Sequence, residues 1–164
     1  MSQSKYSIWL IPGEKDQNYL SQIIESLADN YGAPSFEPHA TLFNSIQDIE
    51  SAKTIISQMN YKPFQLKMSG LNQSENIWKT IFLELEIDPH LTLLNYIFDQ
   101  AFDIKYDFKP HISLIYKKMD TQTRESIMSS LELKNTYLIN GIAIVDTTGP
   151  VITWNKLHEV FWNF

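Results

Sequence analysis

FEPHATL (residues 36–42) and FKPHISL (residues 108–114) are two copies of one heptapeptide pattern, F-x-P-H-x-(S/T)-L. Subtracting 39 from 111 shows that the two histidines, His39 and His111, lie 72 residues apart. Each histidine is followed two positions later by a hydroxyl residue. Packing alone gives no reason to keep a titratable group and a hydroxyl at matched positions in both copies, so the repetition indicates a paired functional site.

The strand geometry of each copy determines which side chains can act together. Successive side chains of a β-strand point to opposite faces, so residues i and i+2 share a face. His39 and Thr41 are therefore expected to project together, and so are His111 and Ser113. The proline before each histidine lacks a backbone donor and fits the first residue of a strand. Each histidine should therefore lie near a rim of a sheet.

The hydrophobic pattern predicts the order β-α-β-α-β twice. Strands are expected over residues 5–12, 39–45 and 62–71 in the first half and over 77–87, 111–117 and 138–145 in the second. Helices are expected over residues 14–31 and 48–59, then over 89–103 and 120–131, and a last strand over 151–162. Matched elements lie about 72 residues apart, which indicates an internal duplication.

This duplication predicts an α+β fold with one bilobal domain over residues 1–164. Two antiparallel sheets are expected to face each other across a central groove, with the helices outside and a pseudo-twofold axis between the lobes. Each lobe would then offer one histidine and one hydroxyl to the groove. Two copies of so long a unit argue against a solenoid array.

Composition narrows the range of partners. The chain has no cysteine, which excludes disulfides, thiolate nucleophiles and cysteine-ligated zinc. Its net charge of −6 opposes the tracking of long nucleic acid, so a small phosphate ester or a chain end is the better partner. No apolar stretch reaches the length of a membrane span, and the first residues lack the apolar core of a signal peptide. A soluble, cytoplasmic monomer without membrane partners is therefore expected.

Two imidazoles facing one groove suit a reaction that needs a base on one side and an acid on the other. In-line displacement at phosphorus has this geometry, and the hydroxyls of Thr41 and Ser113 would donate hydrogen bonds to the non-bridging phosphate oxygens. A metal site built from both histidines is the alternative. It is disfavoured because the sequence has no H-x-x-x-H or carboxylate pair at ligand spacing. We expect neither a metal nor another cofactor.

Paired H-x-(S/T) motifs half a chain apart resemble the 2H phosphoesterase superfamily. The opening strand KYSIWLIP and the contexts FEPHATL and KPHISLIY are most similar to its cyclic phosphodiesterase branch from plants and yeast. The resemblance covers nearly the whole chain, and its specific parts are residues 39–42 and 111–114. It implies a bilobal α+β fold and metal-independent opening of cyclic phosphates. Substrates of that branch include ADP-ribose 1'',2''-cyclic phosphate and nucleoside 2',3'-cyclic phosphates, which belong to RNA and tRNA processing.

Carried over by position, the resemblance implies that His39 and His111 are catalytic and that Thr41 and Ser113 bind phosphate. Tyr116 matches a tyrosine that lines the site in the cyclic phosphodiesterase branch, with a core or rim aromatic as the alternative.

The remaining candidates rest on their positions in the pattern alone. Trp78 is a candidate for stacking on a base, and core packing is an equal alternative. The other tryptophans are interpreted as structural, namely Trp9, Trp154 and Trp162. The histidines without a duplicated partner, His90 and His158, are interpreted as surface or rim residues.

The sequence therefore predicts hydrolysis of a small cyclic-phosphate nucleotide. We favour His111 as the base that deprotonates water and His39 as the acid that protonates the departing sugar oxygen, although the near-symmetry of the motifs leaves this order open. Alternatives are a relative that acts on RNA ends, 2',5'-oligonucleotides or cyclic dinucleotides, and a non-catalytic nucleotide-binding module.

Overall fold

The structure, a computed structural model, describes residues 5–164; the first four residues of the domain expected over 1–164 lie outside it. The strands are β1 Tyr6–Pro12, β2 Ala40–Ile46, β3 Phe64–Gln73, β4 Ile81–Leu85, β5 His111–Ile115, β6 Thr136–Asp146 and β7 Asn155–Phe161. The helices are α1 Glu14–Tyr31, α2 Ile49–Gln58, α3 Pro89–Ala101 and α4 Thr121–Ser130. The predicted order of elements is confirmed, and the starts of α2 and α4 differ by 121 minus 49, which is 72.

The strands form one sheet, in the order β1-β2-β5-β4-β3-β6-β7, and every pair is antiparallel. A further pairing between β1 and β6 closes six of these strands into a barrel, with β7 outside it on β6. The expectation of two separate sheets facing a groove was therefore wrong. Because unpaired strand edges leave backbone donors and acceptors unsatisfied, joining the two halves edge to edge satisfies groups that two open sheets would expose.

Pairings between strands of the two halves differ in length. Between β3 and β6 the register runs over four pairs, from Phe64 with Ile139 to Lys67 with Thr136. Between β2 and β5 it consists of one pair, Ala40 with Ile112. Those two residues are themselves 72 positions apart, as a local twofold axis between the copies requires. The two motif strands therefore touch at one point and separate beyond it.

Two predicted strands begin later than the sequence indicated. The first part of 77–87 is a 3-10 turn, Ile77–Lys79, where the Asn76 side chain accepts a hydrogen bond from the backbone N–H of Trp78. The first part of 151–162 is also a 3-10 turn, Val151–Thr153. In both cases a local cap or turn prevents residues with a strand-like pattern from pairing.

One face of the strands packs against the helices. The main core includes residues of β1, β2, β5 and β6 that are fully buried, together with helical residues, for example Ile8, Leu10, Leu42, Leu114, Ile144, Leu20, Ile24, Leu94 and Phe98. Side chains of the opposite face of β1 and β6 form a smaller cluster of Trp9, Ile11, Ala143 and Val145. The strands therefore present a second face that the helices leave uncovered.

Among residues 5–164, no helix has both the length and the apolar character needed to cross a membrane.

The segment that leads into the first motif starts from a glycine cap. Gly32 ends α1 in the left-handed region, with φ of 66°, and its backbone N–H donates to the Ala28 carbonyl. A side chain is strained in this region, so Gly32→Ala should lower the free energy of unfolding by about 1 kcal/mol. Urea denaturation followed by circular dichroism measures the change.

Gly70→Ala is the matched control, because a Cβ there meets no atom within 4 Å and the backbone is not left-handed. It should leave the unfolding free energy unchanged or slightly raised. Equal losses in both variants would contradict this account of the cap.

Candidate active site

A cleft of about 440 Å³ opens where β2 and β5 separate. The six site residues that the sequence singled out all line it: His39, Thr41, Trp78, His111, Ser113 and Tyr116. His111 is the first residue of β5, and His39 lies one residue before β2, so both stand at the rim of the sheet. The structure therefore brings the two motifs together in one cavity.

Both imidazoles are held by the same local hydrogen bond. The His39 Nδ1 lies 2.7 Å from the Glu37 carbonyl oxygen, and the His111 Nδ1 lies 2.8 Å from the Lys109 carbonyl oxygen. A carbonyl only accepts, so Nδ1 carries the proton in both rings and donates it. Each neutral ring therefore keeps its Nε2 lone pair available for a ligand.

The two histidines differ in their flanking aromatic residue. Trp9, whose strand position is opposite Thr41, stacks on His39 with ring centroids 3.5 Å apart and planes 6° apart. Phe82, in the equivalent position opposite Ser113, meets His111 edge-on at 5.6 Å and 74°. Consequently His39 is 6% exposed, whereas His111 is half-buried.

This difference in burial separates the acid strengths of the two rings. Burial lowers the pKa of His39 to about 3, the Glu37 carbonyl raises it and the nearby His111 lowers it. Burial also lowers the pKa of His111, while Lys79 lowers and Glu84 raises it. His39 is therefore neutral at pH 7, and His111 is the ring that takes a proton more readily.

The hydroxyls of Thr41 and Ser113 differ in their hydrogen bonding. The Ser113 Oγ donates a hydrogen bond of 2.6 Å to the backbone carbonyl of Trp78. The Thr41 hydroxyl is half-buried and has no hydrogen-bond partner among residues 5–164. Thr41 is thus free to donate into the cleft, whereas Ser113 fastens the Ile77–Lys79 turn to β5.

An aromatic cluster forms one wall of the cleft. The rings of Trp78, Tyr116 and Trp154 lie 5.3 to 5.7 Å from one another, and Phe36 stacks on Tyr116 at 4.0 Å. Trp78 is 48% exposed, so it is not a core residue, while burial raises the pKa of Tyr116 well above its usual range. Trp154, interpreted as structural from the sequence, also lines the cavity.

Trp9, also interpreted as structural from the sequence, lines the cleft and stacks on His39. The alternation of KYSIWLIP places Ser7 and Trp9 on one strand face, which was a usable signal; the pairing of β1 with β2 was not readable from sequence. Trp162 is buried in the core as expected.

The two unpaired histidines lie outside the cleft, as expected. His90 is exposed, stacks on Phe64 at 4.6 Å and hydrogen-bonds to the Tyr61 hydroxyl. His158 is half-buried and hydrogen-bonds to Ser57.

Sequence reasoning also missed the charged residues of the cleft. Three lysines and one aspartate line it, namely Lys5, Lys79, Lys109 and Asp107, so their formal charge is 3 minus 1, or +2. The whole chain carries −6. A locally positive cavity in an acidic protein favours an anionic ligand. No single spacing connects these residues, since they come from three separate segments, with Asp107 and Lys109 in the same loop.

The segment that leads into the Trp78 turn is also held by a side chain of α4. Arg124 of α4 is 4% exposed, and its guanidinium donates to Gln73 at 2.7 Å and to Glu75 at 2.6 Å. Buried, charge-assisted hydrogen bonds of this kind fix geometry well. Arg124 therefore positions the segment between β3 and β4 against the cleft.

Within residues 5–164, no three histidine, aspartate or glutamate side chains converge closely enough to hold a metal ion.

The sequence matches the family of cyclic phosphodiesterase-like proteins over residues 4–161, and the chain belongs to that family, within the 2H phosphoesterase superfamily. It is similar to the cyclic phosphodiesterase of Arabidopsis thaliana, with 20% identity over 126 residues that cover 74% of this chain and 70% of that protein.

Solved structures with the same fold include E. coli LigT complexed with phosphate, with a TM-score of 0.62, 12% identity and full coverage of both chains. E. coli LigT complexed with 3'-AMP has a TM-score of 0.63 at 12% identity, covering 98% of this chain and 99% of that one. TT0787 of Thermus thermophilus has a TM-score of 0.60 at 16% identity, covering 96% and 97%. The α+β fold of this chain is therefore LigT-like.

Burial of a neutral histidine makes stability depend on pH. In the unfolded chain His39 has its ordinary pKa of 6.5, whereas in the folded protein its pKa is about 3. Between these pH values the unfolded chain therefore binds a proton that the folded protein does not bind. The contribution of His39 to the free energy of unfolding is therefore fully present above pH 6.5. It falls by up to about 1.4 kcal/mol per pH unit below that pH. His39→Gln should show a shallower loss between pH 6.5 and 4 in urea titrations.

His90→Gln removes one exposed histidine outside the cleft and serves as the control. It should retain the pH dependence of the wild type. If His39→Gln and the wild type lost stability in parallel, His39 would not be held neutral by burial.

Proposed function

We propose that the protein hydrolyses cyclic phosphates. The substrates would be nucleoside 2',3'-cyclic phosphates, opened to 2'-phosphates, or ADP-ribose 1'',2''-cyclic phosphate, opened to ADP-ribose 1''-phosphate. One observation carries the proposal: His39 and His111 are held in a single cleft by matched Nδ1–carbonyl bonds that leave each Nε2 for the reaction. Binding alone needs no such pair of proton carriers.

The relatives support a nucleotide-type ligand. The Arabidopsis thaliana relative is named a cyclic phosphodiesterase, and E. coli LigT has been crystallised with phosphate, 3'-AMP, ATP and NADP+. The positive lining of the cleft suits the phosphate of such a ligand, and its aromatic wall suits a base. Trp78, exposed at this wall, is the residue that we expect to stack on the base, with Tyr116 behind it.

In the proposed reaction one histidine removes a proton from water as the water oxygen attacks phosphorus. The bond between phosphorus and one sugar oxygen breaks, and the second histidine protonates that oxygen, which leaves a phosphate monoester. The electrostatics favour His39 as base, because burial keeps it neutral, and His111 as acid. This is the reverse of the order that we favoured from the sequence.

The hydroxyls would stabilise the charge on the non-bridging phosphate oxygens. Thr41 can donate directly, since its proton is free of protein acceptors among the described residues. Ser113 must exchange the carbonyl of Trp78 for a phosphate oxygen before it can do so.

The central test is turnover of a 2',3'-cyclic nucleotide by the purified protein, followed by separation of the 2'- and 3'-phosphate products. His39→Ala and His111→Ala should each reduce the rate by on the order of 10² to 10⁴. The double variant should lose less than the product of the two, because residues that act as a unit are non-additive.

His158→Ala, outside the cleft, is the control and should keep the wild-type rate. Binding of the nucleotide without turnover by the wild type would support the non-catalytic alternative. Near-wild-type rates in either cleft variant would refute the paired mechanism.

The pH dependence of kcat/KM follows from the two lowered pKa values. The base form of His39 is populated above about pH 3, and the acid form of His111 is populated below its own lowered pKa. The rate should therefore peak on the acid side of 6.5 and fall towards pH 8, rather than peak at neutrality. Stopped assays from pH 4 to 9 give the profile.

Lys79→Met tests the cause of the alkaline limb, because the Lys79 charge lowers the pKa of His111. The limb should move to higher pH in this variant, whatever happens to the maximal rate. A profile that rises steadily with pH would instead indicate attack by hydroxide without a protonated acid.

The scheme predicts no dependence on divalent metals. Charge on the phosphate would be neutralised by the protonated histidine, the hydroxyl donors and the cleft lysines. Activity should survive exhaustive EDTA treatment and gain little from added Mg²⁺, Mn²⁺ or Zn²⁺. Loss of turnover on chelation and its stoichiometric recovery with one metal would reassign His39 and His111 as ligands.

A further inference from the structure

The Glu37 carbonyl that holds His39 belongs to a residue whose side chain is anchored twice. The Gln17 Nε2 of α1 donates to the Glu37 Oε1 at 3.0 Å, and the Lys156 Nζ of β7 donates to the same oxygen at 2.8 Å. The Lys156 and Glu37 side chains are 30% and 33% exposed, so their contact is partly shielded from solvent. We refer to Gln17, Glu37 and Lys156 as the Glu37 clamp.

Lys156 is itself fixed from a second side. Its Nζ also lies 2.6 Å from the Glu159 Oε2 of the same strand. Burial lowers the pKa of Lys156, but its hydrogen bonds to Glu159 and Glu37 outweigh burial and hold the pKa above its ordinary value. Lys156 is therefore charged at pH 7, and charge-assisted hydrogen bonds of this kind fix geometry. The clamp thus ties β7 and α1 to the first motif.

The backbone carries this anchoring to the imidazole. Pro38 follows Glu37 and is buried, and a residue before proline is restricted to extended conformations. Anchoring the Glu37 side chain therefore leaves its carbonyl few orientations. That carbonyl accepts the hydrogen bond from the His39 Nδ1 at 2.7 Å. Because the partner of a ring nitrogen sets the tautomer, the clamp bears on the position of the proton in His39.

The second motif is held by a different contact. Lys109 is the counterpart of Glu37, and its side chain is 71% exposed and pairs with Asp107 at 3.3 Å. The loop is fastened instead through the backbone, where the Leu85 N–H donates to the Pro110 carbonyl at 3.1 Å.

The first motif cannot make this backbone bond. The equivalent pairs of the two strand registers are Leu10 with Ala40 and Leu83 with Ile112. Pro12 therefore takes the position opposite the first motif that Leu85 takes opposite the second. A proline has no N–H to donate. The Glu37 clamp thus supplies, through side chains, the fixation that the second motif receives from the backbone.

We infer that Lys156 and Gln17 are positioning residues for His39. Acting through Glu37, they hold the carbonyl that keeps the ring proton on Nδ1 and leaves Nε2 without one. Neither residue lines the cleft. This inference rests on the proposed function, in which the His39 Nε2 accepts a proton from water.

The first test reads the tautomer directly. In nitrogen-15-labelled protein at pH 7, proton–nitrogen correlation spectra distinguish the protonated from the unprotonated ring nitrogen, and His39→Gln assigns the signals of His39. Wild-type His39 and His111 should both carry the proton on Nδ1. Lys156→Met and Glu37→Met should each shift His39 towards the Nε2–H form. His111 should stay unchanged, because its carbonyl partner is Lys109.

Turnover of a 2',3'-cyclic nucleotide gives the second readout. Lys156→Met should lower kcat by on the order of tenfold with KM nearly unchanged, because the residues that line the cleft all remain. Lys156→Arg keeps a cationic donor and should restore most of kcat. Since Lys156 acts through Glu37, Lys156→Met should cost nothing further in the Glu37→Met background.

Lys53→Met is the matched control, because it removes another partly exposed lysine from an ion pair, with Glu50 on α2, outside the cleft. It should retain the wild-type tautomer and kcat. An unchanged His39 tautomer in both Lys156→Met and Glu37→Met would overturn the positioning role, even if thermal unfolding showed that the clamp stabilises the fold. An additive loss of kcat in the double variant would overturn it as well. A tautomer shift in a protein without turnover would refute the proposed function alone.

Discussion

The contact of β2 with β5 at Ala40 and Ile112 is the constraint on which the site depends. It joins two equivalent positions of a duplicated unit, so it places the histidine that precedes each of these two residues on the same rim. A longer register would have closed the seam and buried both motifs in the sheet. Because the strands separate beyond this pair, the sheet opens into a cleft, while the pairing of β1 with β6 closes the barrel.

The duplication preserves the backbone around the histidines and changes their surroundings. Both rings donate from Nδ1 to the carbonyl two residues earlier, and both hydroxyls are placed by strand alternation. The flanking aromatic residue differs, since Trp9 covers one ring by stacking and Phe82 leaves the other accessible. A symmetric scaffold thereby gives two identical side chains different affinities for protons, as the proposed acid–base mechanism would use.

Short-range patterns predicted much of this arrangement. The order of strands and helices and the grouping of the motif residues in one cleft follow from periodicity and from the repeat itself. The closure of the sheet did not, because the pairing of β1 with β6 joins residues more than a hundred positions apart. No local pattern reports which strand edges meet.

The same limit applies to the composition of the cleft. Only tertiary pairing places Trp9 on His39 and Trp154 beside Trp9. The lysines of the cleft come from separate loops and turns. Burial, which sets the proton affinity of His39, is likewise a property of the whole fold.

The hydrogen bond from Ser113 to the carbonyl of Trp78 adds a coupling to this scaffold. A hydroxyl has one proton, so an anion that accepted it would remove one of the hydrogen bonds that hold the turn carrying Trp78. Binding of the anion and opening of the turn would then be linked equilibria. If the anion favours the open turn by some factor, opening of the turn raises the affinity for the anion by the same factor. If the proposed phosphate position is correct, the exposed indole at the mouth of the cleft would report on its occupancy.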